Sequence, residues 1–100
     1  VSHESMINYN NCKYSVPTSY IGKTVTIEEK DNCLFIYYSK QLINKHIITE
    51  NKFNYLKDDL FDIYKSDLYR NKSDDFINKK CDEYLKNLDS IQKGADKNDK

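Results

Sequence analysis

Two histidines and three cysteines are the side chains of this 100-residue chain that could hold a metal or supply a nucleophile: His3, His46, Cys12, Cys33 and Cys81. A zinc site normally draws on ligand pairs separated by roughly two to four residues, and no such pair exists among them. No metal or other cofactor is therefore expected. An odd cysteine count without close spacing reads as reduced thiols in a cytosolic protein. The acidic pairs Glu28-Glu29, Asp58-Asp59 and Asp74-Asp75 are sequence neighbours. Adjacent side chains diverge on strands and helices alike, so none forms a paired-carboxylate site. With two glycines the chain cannot build a glycine-rich phosphate loop. No Ser/His/Asp or Cys/His arrangement is legible, and no catalytic residue is expected.

What remains is lysine and tyrosine. Lys13, Lys23, Lys30 and Lys40, with Tyr14 and Tyr37, are the candidates for nucleic-acid contact. Lysine would touch phosphate and tyrosine would stack on bases. The plain alternative is that strand-edge lysines keep a sheet soluble. Sixteen basic residues against sixteen acidic ones leave no net charge. A strong sequence-independent hold on nucleic acid needs a basic surplus, because counterion release drives it. Lys outnumbers Arg 15 to 1, a bias that AT-rich coding produces.

The elements that would carry these residues alternate in character. Met6–Tyr9 and Cys12–Val16 read as a hairpin turning at Asn10-Asn11. Thr24–Lys30 and Cys33–Tyr38 read as a second, turning at Asp31-Asn32. That register sets Val25 opposite Tyr38, Thr26 opposite Tyr37, Ile27 opposite Ile36 and Glu28 opposite Phe35. A two-residue Ser39-Lys40 turn sets Ile36 against Ile43 and Tyr37 against Leu42. The inner face is then Val25, Ile27, Leu34, Ile36, Tyr38 and Ile43. The outer face still carries Phe35, Tyr37 and Leu42. The expected cover is the C-terminal half of the chain; the alternative is a partner or a base.

Beyond residue 50 the period changes. Phe53, Leu56, Leu60, Tyr64 and Leu68 predict an amphipathic helix over 51–70, with Asn51 as its N-cap. Ser73 is the expected cap of a second helix. Its seam is Ile77, Cys81, Tyr84, Leu88 and Ile91, offered either to the first helix or to a partner chain. Cys81 is expected to pack there as a small apolar residue. There is no run of about 18 apolar residues and no basic-then-apolar start, so neither membrane span nor signal peptide is expected. The chain opens on Val1 and reads as a piece of something longer.

The ordered series Tyr14-Ser15-Val16-Pro17, Tyr20-Ile21-Gly22-Lys23-Thr24-Val25, Leu34-Phe35-Ile36-Tyr37, Leu42-Ile43 and His46 resembles a known family. It is similar to the small β-barrel C-terminal to the catalytic core of Mu-like DDE transposases, in particular insertion-sequence transposases that work with a helper ATPase. The resemblance covers about residues 5–48. It implies a mostly β plus α fold: an SH3-like five-stranded β-barrel over 5–48, followed by two C-terminal helices within 51–92. Residues 1–4 and 93–100 are expected to be disordered. It implies a non-catalytic domain of a bacterial, cytoplasmic and nucleoid-associated transposase, assisting DNA binding and assembly of the transposition complex. The implied partners are DNA, other transposase subunits and a helper ATPase, with no membrane. The other reading is a protein-interaction module without DNA contact, in which the Ile77–Ile91 seam zips to a partner helix.

Overall fold

The computed structural model describes the backbone of residues 1–98 and the side chains of residues 1–92. Six strands form two three-stranded sheets. In the first, β1 (Met6–Tyr9) pairs antiparallel with β2 (Cys12–Ser15), and β2 pairs parallel with the two-residue β6 (Phe53–Asn54). In the second, β3 (Thr26–Lys30), β4 (Cys33–Tyr38) and β5 (Gln41–Ile47) form an antiparallel meander. No ladder joins the two sheets among the described residues, and the strands number six rather than the expected five.

All three hairpins turn on two residues in the left-handed conformation: Asn10-Asn11, Asp31-Asn32 and Ser39-Lys40. Such turns match the right-handed twist of the flanking strands. Asn and Asp tolerate this backbone, whereas Ser39 and Lys40 hold it against their own preference. The first two registers agree with the sequence reading: Ile7 faces Tyr14, Ile27 faces Ile36 and Glu28 faces Phe35. The second ladder stops at Thr26–Tyr37, one pair short of Val25–Tyr38.

The third register corrects the expectation. Tyr37 does face Leu42, but Ile36 faces Asn44, because a bulge opposite Ile36/Tyr37 leaves Ile43 as an extra residue on β5. A bulge shifts the alternation by one. Beyond it, Asn44 and His46 point inward, and Lys45 and Ile47 point outward. Ile43 itself still packs against the core.

The sheets share one apolar core of Ile7, Cys12, Tyr14 and Val16 from the first and Leu34 and Ile36 from the second, with Val25 and Ile27 at its margin. Residues 1–4, expected to be disordered, are tied in: Ser2 N–H donates to the Met6 carbonyl and Gly22 N–H to that of Val1. Gly22 does so from a left-handed backbone, φ 82°, that suits glycine.

The predicted helix over 51–70 is corrected more deeply. Phe53 and Asn54 are extended against β2, and Lys13 N–H donates to the Lys52 carbonyl. Asn51 caps nothing; its carbonyl accepts from the Asn54 side chain. The edge of β2 offers unpaired backbone groups, and pairing them outweighs the helical period of the sequence. Helix α1 is only Lys57–Ile63 and runs into a π-helical turn, Tyr64–Leu68. Helix α2 spans Asp74–Asn98, and the Ser73 hydroxyl accepts from Phe76 N–H at its start as expected. Of the tail expected to be disordered, 93–98 continue α2 and 99–100 lie outside the described residues. Leu60, Ile77 and Cys81 form a second core with Tyr55, Phe61, Tyr64, Tyr69, Phe76 and Leu85 around it.

Candidate functional site

The outer face of the second sheet is built in three rows. Glu28, Phe35 and Lys45 lie across it, with Thr26, Tyr37 and Leu42 on one side and Lys30, Cys33 and Ile47 on the other. Lys45 Nζ stands 5.4 Å from the centre of the Phe35 ring. Tyr37, Thr26, Glu28 and Lys40 line a shallow hollow at the Ser39-Lys40 end. The helices lie elsewhere: α1 meets β2 and the inner side of β5, and α2 lies along β6. The face expected to be covered by the C-terminal half is bare, with Leu42 48% and Ile47 69% exposed.

The structure therefore sorts the nucleic-acid candidates. Lys30, Tyr37 and Lys40 belong to this face, with Lys30 at the far end from the other two. Lys23 does not: its ammonium stands 5.6 Å from the ring centre of Tyr38, which takes the opposite side of β4 from Tyr37. Lys13 is on the other sheet, bound to Glu4 at 2.7 Å and over the Phe53 ring. Tyr14 is 1% exposed, which removes it as a base-stacking residue. Its ring meets His46 edge-on, and its hydroxyl accepts from Thr49 N–H. Burial of an aromatic in a small core outweighs its use as a surface platform. Sequence reasoning missed Lys45 and Phe35 as a pair because the bulge brings Lys45 outward. The adjacent apolar residues Leu42 and Ile43, which break strict alternation, are the signal that could have shown it.

The proposed partner seam is corrected too. Ile77 and Cys81 are fully buried in the second core. Burial also pushes the Cys81 thiol up, which keeps it protonated and unreactive. Tyr84 packs edge-on against Tyr55 and Tyr64. Leu88 is half-buried. Tyr84 is nevertheless 37% exposed, and Ile91, at the end of the seam, 68%. The helix spends the first part of its apolar stripe on its own domain, since tertiary packing rather than propensity supplies most of a helix's stability in proteins.

A third feature is polar and buried. Ser15, on β2, gathers four groups. Its carbonyl accepts from Asn44 Nδ2 and from His46 Nε2, each at 2.7 Å. A carbonyl can only accept, so His46 carries a proton on Nε2. The Ser15 hydroxyl donates to Asp59 Oδ2 at 2.6 Å and accepts from Leu56 N–H at 2.9 Å. Asn44 Nδ2 also donates to Asp59 Oδ2, at 2.8 Å. Burial pushes the Asp59 carboxyl up, against the hydrogen bonds from Ser15 and Asn44 that hold it down. Burial pushes His46 down, against its bond to Ser15 and the nearby Asp59 charge.

Among the described residues no three His, Cys, Asp or Glu side chains gather as metal ligands, and no helix is long and apolar enough to cross a membrane. The chain is 40% identical over 58 residues to the transposase for insertion sequence element IS232 of Bacillus thuringiensis subsp. berliner. That match takes in 58% of this chain and 14% of the relative. The chain thus spans a small part of that protein's length. No solved structure matches it. The profile of the Mu transposase C-terminal domain matches residues 1–54, more than half of the chain and the whole of the two sheets. By that match the chain belongs to the Mu transposase C-terminal domain family.

Proposed function

We propose that this chain is a non-catalytic accessory domain of a DNA transposase that touches DNA through the bare face of β3, β4 and β5. The observation that carries the reading is the pairing of the aromatic residues Phe35 and Tyr37 with Lys30, Lys40 and Lys45 on a face that the helices leave open. Lysine supplies charge to phosphates, and the rings supply flat apolar contact. Glu28 lies in the middle row and limits affinity. In this reading the two sheets are the open form of the family's SH3-like barrel. The transposase works in the bacterial cytoplasm, with other subunits and a helper ATPase as its protein partners.

A labelled duplex titrated with the chain at low salt tests it by fluorescence anisotropy. Weak binding is expected, reduced about tenfold or more when Lys30, Lys40 and Lys45 are changed together to alanine. Binding untouched by the triple change overturns the assignment of the face. Exposed Leu42 and Ile47 favour a second reading, in which the same face meets another transposase subunit. No binding to the duplex, together with a dimer mass abolished by Leu42→Lys, selects that reading.

A further inference from the structure

The side chains on the bare face of β3, β4 and β5 are ordered in a way that distinguishes one form of DNA from another. Phe35 and Tyr37 stand two residues apart on β4, the middle strand of the sheet. Both rings therefore rise from the same face, about 7 Å apart along the strand. Both are half-buried, so their outer surfaces remain open. Beside Tyr37 lies the hollow that Thr26, Glu28 and Lys40 complete. It offers a flat ring, an exposed carboxylate and a hydroxyl that accept hydrogen bonds, and an ammonium. Phe35 has Glu28 as its cross-strand neighbour on one side and Lys45 on the other. Resting on the DNA-contacting role proposed above, we infer that this face takes unpaired bases, one against each ring, in preference to a duplex.

The charge layout supplies the reason. Bases in a duplex lie stacked on one another, so neither ring has a base face to meet until the pairing opens. The outside of a duplex is phosphate, and laid on this face it meets the Glu28 carboxylate in the middle row. A single strand with its bases turned to the sheet puts the same carboxylate to use. It accepts from the exocyclic amino group of cytosine or adenine. The phosphates then turn away from the rings, toward Lys40 in the turn and Lys45 on the edge strand β5. Lys45 leaves its place over the Phe35 ring, 5.4 Å from the centre, to follow them. Base stacking is stronger than an exposed cation–π contact, and the long lysine stem permits the move.

The test is fluorescence anisotropy of the chain at low salt with a short labelled single strand of mixed sequence, alone and annealed to its complement. The single strand is expected to bind about tenfold or more tighter than the duplex. Tyr37→Leu should weaken the single strand roughly fivefold or more and leave the duplex nearly unchanged. Glu28→Ala should strengthen the duplex and not the single strand, and an equal gain for both overturns the inference. Duplex binding as tight as single-strand binding, or a Tyr37→Leu loss shared by both forms, overturns it too. If the duplex then still depends on Lys30, Lys40 and Lys45, the DNA-contacting face itself stands; binding of neither form removes both. Should Tyr37→Leu fail to fold, the ring protons of Phe35 and Tyr37 in the unaltered chain decide. Stacked bases must shift them upfield when the single strand is added, and unmoved rings overturn the inference.

Discussion

Asp59 shows how much one side chain can organise. It is 3% exposed and takes hydrogen bonds from Ser15 and Asn44, which come from different sheets. Removing it leaves the buried Ser15 hydroxyl without its acceptor and takes one of two acceptors from the half-buried Asn44 amide, which keeps the Ser15 carbonyl; a buried polar group left unmatched costs roughly 1–3 kcal/mol. Asp59→Ala should lower stability by about 2–4 kcal/mol, seen as an earlier urea midpoint with little change in slope. A midpoint unmoved by the change would show that the carboxyl is not engaged. The sequence pattern alone excludes Asp58-Asp59 as a paired-carboxylate site and reads the pair as a solvated face or a helix start. Nothing in the pattern separates the two, because which one turns inward depends on where α1 begins. Asn44 and His46 were hidden in the same way by the bulge on β5.

Among the elements, α2 illustrates the difference between a pattern and its use. The spacing of Ile77, Cys81, Tyr84, Leu88 and Ile91 is helical, and the helix forms. Whether its stripe faces its own domain or another chain is not a property of the spacing. Here Ile77 sits in the second core and Ile91 in solvent. Ile77→Ala is expected to cost about 2–4 kcal/mol as a core truncation. Ile91→Ala should change stability by less than about 0.5 kcal/mol. Comparable losses from both would restore the continuous seam and a partner for it. The strands tell the opposite story. The turns at Asn10-Asn11 and Asp31-Asn32 were legible because their residue types accept a left-handed backbone, and two registers followed from them. The stretch from Asn51 to Leu56 was not legible. Its apolar period fits a helix, and only the open edge of β2 makes it a strand.

For the molecule as a whole, zero net charge and a patch of three lysines set the scale of DNA binding in the proposed reading. Each phosphate neutralised adds about −0.9 to the slope of log affinity against log salt. Contacts from Lys30, Lys40 and Lys45 therefore predict a slope of about −3, and less than half that once all three are replaced. A steep slope that survives the replacement would place the contact elsewhere on the molecule. The bare face is a property of the assembled fold: the helices take the inner side of β5 and leave Phe35, Tyr37 and Leu42 outside.

Order and type of residues sufficed for the hairpins, for the helical character of the second half and for the family likeness over the strands. These are local matters of turn chemistry and alternation, decided within a few neighbours. The bulge on β5, the pairing of Phe53-Asn54 with β2, the burial of Tyr14 and the Ser15 cluster belong to the folded molecule. Each depends on backbone or side-chain groups far apart in the chain that must find partners once water is excluded.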